Sequence, residues 1–274
     1  MFSAGQAGGL LLVLALMVAG FGWLQPRFLS AATLALVGNQ IPDLAVLACG
    51  MTLVMVAGGI DLSVGSVVGL ATVVLGHCLG EWNWPVWCGC LAALVIGAGC
   101  GLLNGSVSVL AGIPSFIVTL GMLEAARGGA YLLSGSQTRY LGEGLESLSA
   151  PIPGVQLSPS ALVAGMVVLA GQALQIYTTL GRRLVAVGEN DQAAWRMGVD
   201  PKRVRIVAFA LCGAFAGLAG LFQTARLGSA DPNAGIGMEL GAIAAVVIGG
   251  ASPSGGRGAG CLLYTSPSPR DQRG

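Results

Sequence analysis

The sequence predicts an all-α membrane protein: a polytopic helical bundle of about seven full spans plus a short or re-entrant eighth. Three observations carry that prediction. Charged residues make up 9% of the 274 residues, whereas soluble domains carry about 25%, so there is too little charge to clothe a water-facing surface. Hydrophobic residues make up 54% with a mean hydropathy of +0.80, and they lie in long unbroken runs, unlike the short alternating segments of a β-barrel. The 45 glycines and only 6% aromatics suit helices packed closely in lipid, where small residues let backbones approach.

A helix needs about 20 apolar residues to cross the hydrocarbon core. The first run, residues 8–24, has no basic residue ahead of it and so reads as a retained span rather than a signal peptide. The next full runs are residues 41–57, 62–79, 86–103, 113–133, 161–180 and 204–227, and a shorter one covers 240–250. Basic residues in short loops set orientation. The 181–205 loop holds Arg182, Arg183, Arg196, Lys202, Arg203 and Arg205, six of the 13 basic residues. It is therefore expected on the cytoplasmic side, with the amino terminus inside and residues 81–85 outside. Trp82, Trp84 and Trp87 near that outer turn suit an interfacial aromatic belt. Pro151, Pro153 and Pro159 mark the polar 134–159 region as an outer loop.

The pairs Gly65/Gly69, Gly76/Gly80, Gly97/Gly101 and Gly213/Gly217 each place two glycines on one helix face and open a groove for a neighbour. A net charge of +1 recruits neither nucleic acid nor acidic partners. The seven cysteines sit mostly within apolar runs and lack paired CxxC spacing, so they read as small buried hydrophobes with no metal site. His77, near the outer end of its span, is assigned no chemistry. Glu124 and Arg127, three apart on one helix face, read as an ion pair that offsets burial. Arg226, Asp231 and Glu239 bracket a Gly-rich outward turn, as solvated loop charges or as contacts for an external protein.

The basic loop is the most informative segment. Asn190-Asp191 caps a short helix, Gly198 ends it, and Asp200-Pro201 starts another. A helix of about two turns is too short to be stable alone and persists when a partner packs against it. Ala193, Ala194 and Met197 offer a small apolar face for a partner's groove, flanked by Trp195 and Arg196; the alternative is an ordinary loop whose charges set topology. Between two apolar runs, Gly58-Gly59 followed by Asp61 predicts a broken helix. Asp61 either caps the helix that follows, assisted by Ser63, or meets substrate. Asn104, Ser115 and Thr119 either line a wet seam with it or make interhelical hydrogen bonds, Pro114 starting the helix that holds the last two.

Gln192-Ala193-Ala194 with Gly198 resembles the EAA loop of ABC-importer permeases, although Gln192 stands where that motif has Glu. The ribose/simple-sugar branch is more similar still. The matching stretches are residues 58–65 (GGIDLSVG), 112–121 (GIPSFIVTLG), 225–230 (ARLGSA) and 244–250 (AAVVIGG), the last running on to Gly255-Gly256-Arg257-Gly258. The resemblance covers residues 8–260 and implies an ATPase-coupling loop at Asn190, Gln192, Ala193, Ala194, Arg196 and Gly198. It also implies a second permease copy, a separate ABC ATPase subunit and a periplasmic or extracellular sugar-binding protein. The only lysine, Lys202, has no phosphate-binding Gly-rich loop before it, so ATP and its Mg²⁺ belong to the partner and this chain holds no cofactor.

From Cys261 the composition turns polar and Pro-rich. Residues 261–274 resemble a translated sequencing-adapter read-through, which leaves a partial permease domain at 1–260 with its final spans missing. The expected function is transport rather than enzymatic: a multi-pass permease of the bacterial inner membrane that imports a ribose-, xylose- or galactose-like monosaccharide by alternating access. Asp61, Ser63, Asn104, Ser115 and Thr119 are its translocation-path candidates. The rival within the same superfamily is a branched-chain amino-acid permease. An intramembrane hydrolase is disfavoured by the single histidine and the missing Gly-x-Ser-x-Gly elbow.

Overall fold

The computed structural model describes residues 4–141, 145–252 and 255–256. The tail at 261–274 and the motif residues Arg257 and Gly258 lie outside the described residues. The described residues are mostly helical. Helix α1 (Ala4–Leu24) leads through a 3₁₀ turn at Pro26–Leu29 into α2 (Ala31–Gln40), which Ser30 caps by accepting Thr33 N–H at 3.3 Å. Then follow α3 (Pro42–Val56), α4 (Val64–Gly80), α5 (Val86–Ala111) and α6 (Ser115–Ser134). A short α7 (Glu146–Ser149) precedes α8 (Pro159–Tyr177), α9 (Thr179–Glu189), α10 (Asp191–Arg196), α11 (Pro201–Leu227) and α12 (Met238–Ile248). Two strand fragments, β1 (Arg139–Tyr140) and β2 (Ser229–Ala230), pair antiparallel.

Among the described residues four helices, α5, α6, α8 and α11, are long and apolar enough to cross a membrane, and a fifth span arises if α2 and α3, bent by 49° at the break between them, count as one. Of the seven full runs of the sequence, four become these spans, 41–57 falls in the bent pair, 62–79 becomes a shorter helix, and α1 covers the run at 8–24. The cause is local. The 62–79 run gives up its first residues to unwound backbone, leaving α4 with 17 residues. The 161–180 run stops at Tyr177, where Thr178 turns the chain and caps α9 by accepting Gly181 N–H at 3.2 Å. Gly181 is needed there because a Cβ would fall 2.1 Å from the carbonyl oxygen of Gln175.

The core is built on α3, twelve of whose fifteen residues are buried, and α4 and α11 pack around it. Large apolar side chains instead stand exposed on α5 (Leu91, Val95), α8 (Met166, Leu169) and α6 (Phe116, Leu120). Such faces are stable in lipid and would not be in water. Helices α5 and α11 touch backbone to backbone. A Cβ on Gly97 would lie 2.2 Å from Gly213 O, and one on Gly217 would lie 2.3 Å from Ala93 O. Two of the four-spaced glycine pairs read from the sequence are thus each other's partners.

The glycine ridge of α4 has a different occupant. Gly76 faces Ala230, Gly69 faces the Pro232 and Ala234 carbonyls, and Gly65 faces Gly235 and Glu239. The chain after α11 therefore runs antiparallel along α4 in non-helical form before α12 begins. Irregular backbone at membrane depth is tolerated only where protein buries it, and the missing Cβ atoms of α4 make that burial possible. The short eighth run read from the sequence at 240–250 becomes α12, and the Gly-rich turn before it becomes this threaded segment.

Candidate functional site

Helix α3 ends where Gly58 takes φ +80°, a conformation that favours glycine. Residues 57–63 then continue as unwound backbone to α4. Their polar groups are satisfied by side chains of neighbouring helices. Ile60 N–H donates to Ser115 Oγ (3.1 Å) and Leu62 N–H to Thr119 Oγ1 (3.1 Å), both on the first turns of α6. Asp61 Oδ1 accepts from Ser63 N–H (2.9 Å) and Ser63 Oγ–H (2.6 Å), closing a turn at the start of α4. From α5, Asn104 Nδ2 donates to Ser63 Oγ (2.9 Å) and reaches Asp61 Oδ2 at 3.5 Å. The five path candidates thus meet in one knot. Asp61, Ser63, Asn104 and Thr119 are at most 1% exposed, which is how an ionisable group at membrane depth is accommodated. Within the knot, Asn104 Oδ1 is buried without a hydrogen-bond partner.

The basic loop folds as its caps dictate. Asn190 Oδ1 accepts Ala193 N–H (3.0 Å) to start α10, and Gly198 at φ +80° follows its end. Asp200 Oδ1 accepts Lys202 N–H (3.0 Å) to start α11 behind Pro201. Gln192, Ala193, Trp195, Arg196 and Met197 are exposed, Trp195 by 62% and Met197 by 70%. Ala194 departs from the expected apolar face: it is fully buried and packs in the chain's own core with Leu184, Val187 and Val204. Ala194 lies about 100° round the helix from Ala193, and that turn carries it into the chain's own core.

These two regions border one cavity of about 1030 Å³. Gly58, Gly59 and Ser115 line it on one side; Gln192, Trp195 and Lys202 line it on the other. Of the five path candidates, Ser115 faces this space and the other four are sealed in the knot.

Several other expectations are corrected. Glu124 is exposed and forms no ion pair with Arg127. Arg127 donates instead to Pro232 O (2.5 Å) and Ala234 O (3.0 Å), holding the threaded segment. Arg226 is not a solvated loop charge: it pairs at 2.6 Å with the buried carboxylate of Asp43. Glu239 lies over Gly65 and accepts Gly237 N–H at 3.2 Å, and Asp231 accepts Asn233 N–H at 2.8 Å. His77 bridges Glu81 and Leu133 O, each at 2.8 Å, and Glu81 also pairs with Arg139 at 2.5 Å. Hydrogen bonds from His77 and then Arg139 hold the Glu81 carboxyl below its usual range.

Sequence reasoning missed Arg205, counting it only as a topology charge. It donates to both carboxylate oxygens of Asp191 (2.8 and 2.9 Å) and through Nε to Ala57 O (3.1 Å). An arginine just inside an apolar run was the available signal, but nothing in the spacing names its partners.

Residues 33–268 match the family model described as "Branched-chain amino acid transport system / permease component". The chain belongs to this permease family. The ribose import permease protein RbsC of Escherichia coli K12 is 36% identical over 261 residues, which is 90% of the chain and 78% of that relative. The autoinducer 2 import system permease protein LsrC of Photorhabdus luminescens is 38% identical over 234 residues, 85% of the chain and 70% of the relative. LsrC of Salmonella choleraesuis SC-B67 is 40% identical over 241 residues, 86% and 68% respectively. No solved structure matches the permease. Membership makes it a transport subunit rather than an enzyme. It also implies an ATPase and a substrate-binding protein as partner subunits, and a multi-pass position in the inner membrane.

Proposed function

We propose that the permease carries a ribose-like monosaccharide, or a comparably small polyhydroxylated solute, into the cell by alternating access. The motion is driven by a separate ATPase that grips α10. Two copies enclose the path in a lipid-embedded dimer, and the amino terminus and the basic loop face the cytoplasm. The named import permeases among its relatives favour a sugar-class substrate over a branched-chain amino acid.

The observation that carries the reading is the form of α10. A six-residue helix capped at both ends presents Gln192, Ala193, Trp195, Arg196 and Met197 outward and anchors itself through Ala194. A helix this short holds its shape by capping and packing, and an exposed tryptophan and methionine beside an arginine have the composition of a hot spot for a partner protein. Asn190 and Gly198 fix its two ends, so Asn190, Gln192, Ala193, Ala194, Arg196 and Gly198 act as one coupling element. Ser115 faces the inner vestibule, while Asp61, Ser63, Asn104 and Thr119 set the shape of the break that borders it.

Assembly of the full chain with its ATPase and binding protein in proteoliposomes tests this. Uptake of radiolabelled ribose should require ATP, and Arg196→Glu should abolish co-purification of the ATPase. Retained co-purification in that variant would contradict the assignment of α10.

A further inference from the structure

We propose that Arg205 is a transmission residue that makes the coupling helix and the break in the α3–α4 pair move as one body. The inference rests on the proposed coupling role of α10 and concerns what lies behind the docking face.

The guanidinium spends its donors on two elements at once. Its two terminal nitrogens hold both oxygens of Asp191, the first residue of α10, and its Nε holds Ala57 O at the end of α3. Paired, parallel N–H···O bonds fix orientation as well as distance. Ala57 immediately precedes Gly58, whose φ of +80° begins the unwound stretch. The neighbouring carbonyl, Val56 O, accepts Gly256 N–H at 3.0 Å, and Gly256 packs on Gly188 and Glu189 of α9, so the last carbonyls of α3 are tied within the protein and not left to solvent. Three residues beyond Gly58, Asp61 begins the knot with α5 and α6.

A displacement of α10 therefore reaches α3 through one rigid fork and passes from there to the Asp61 knot and the wall of the vestibule. Within α10 Ala194 is the buried residue, and α9 packs on the end of α3 at Gly188, where a Cβ would meet Val56 O at 1.9 Å; the fork adds to that packing a direct, oriented bond from α10 to α3. Arginine is required: a lysine ammonium is a point charge that cannot span a bidentate carboxylate and a separate carbonyl in one geometry. Arg205 and Asp191 are partly exposed, by 30% and 44%, so the link adds little to static stability. Its value is in transmission.

The test uses the full chain assembled with ATPase and binding protein, with radiolabelled ribose as the probe and the ratio of sugar imported to ATP hydrolysed as the readout. Arg205→Lys and Arg205→Gln should keep membrane abundance, ATPase association and basal hydrolysis, and lower the ratio by about tenfold, within the range of allosteric coupling free energies. Asp191→Asn, a change on the exposed helix that leaves Arg205 in place, should lower it similarly, and the double variant should be no worse than either single one. The exchange Asp191→Arg with Arg205→Asp restores an ion pair but leaves Ala57 O without its donor, and it should remain uncoupled. An unchanged ratio in Arg205→Lys and Asp191→Asn, or full recovery in the exchanged pair, would overturn the link. Absence of ATP-driven uptake by the unmodified complex would overturn the transport reading and the link with it.

Discussion

Two stretches of unwound backbone lie inside the bundle, and they are held by opposite means. Residues 57–63 are held by side chains: Ser115, Thr119, Asn104 and Asp61 on the membrane side, Arg205 on the side of α10. Residues 228–237 are held by backbone proximity. Their carbonyls press on the glycine ridge of α4, and Arg127 and Tyr131 of α6 pin Pro232, Ala234 and Asn233. A side-chain knot can exchange partners while the helices keep their register. Backbone wedged against glycine cannot shift without collision. Under the proposed transport cycle, the break that moves with α10 is the joint, and the threaded segment is the wall it works against.

The contrast can be broken most forcefully at Gly65. A side chain there meets Glu239 Oε2 and the Gly235 carbonyl within 2.4 Å, so Gly65→Val should cost about 3 kcal/mol from overpacking. Fluorescence-detected size exclusion should show most of the folded protein lost. Asp61→Ala should cost about 2 kcal/mol by leaving the Ser63 N–H and O–H donors unpaired, visible as a lower melting temperature, and Asp61→Asn should cost less. If the alanine variant matched Gly65→Val, the joint would be as rigid as the wall. Arg127→Met strips the donors from two carbonyls and should also cost about 2 kcal/mol or slightly less. It should leave the ribose-to-ATP ratio of the surviving protein intact, which separates wall from joint.

Smaller effects sharpen the picture. Asn190→Ala removes the α10 cap at a cost of about 1 kcal/mol, and ATPase association measured by co-purification should weaken before stability does. The first residues of the threaded segment are fastened through β1, and Arg139 there pairs with Glu81. The Glu81 carboxyl is held low by His77 and Arg139, so its contribution is complete above the ordinary carboxylate range and is lost as pH falls through the depressed folded value. Thermal melts of wild type and His77→Gln should converge in acid and separate at neutral pH, with only a slight gap because the group is exposed.

Much of this was legible in the sequence. Low charge and long apolar runs fixed the class, Gly58-Gly59-Asp61 marked the break, and Asn190, Gly198 and Asp200-Pro201 bounded the short helices because caps act over a few residues. The glycine pairs were legible as grooves but not by occupant, since the Gly97 and Gly213 pairs meet across more than a hundred residues, and the groove of α4 takes extended chain in place of a helix. The Glu124–Arg127 spacing suggested a local pair, but Arg127 finds carbonyls 105 and 107 residues away. Arg205 was hidden for the same reason: one of its partners is 148 residues distant.

The most direct measurement is the sidedness of α10. Trp195→Cys, in a variant whose native cysteines are replaced, should react with a membrane-impermeant maleimide in inside-out vesicles and stay unlabelled in intact spheroplasts, and bound ATPase should shield it. Labelling from the outside of intact spheroplasts would place the helix beyond the reach of any cytoplasmic motor and contradict the account.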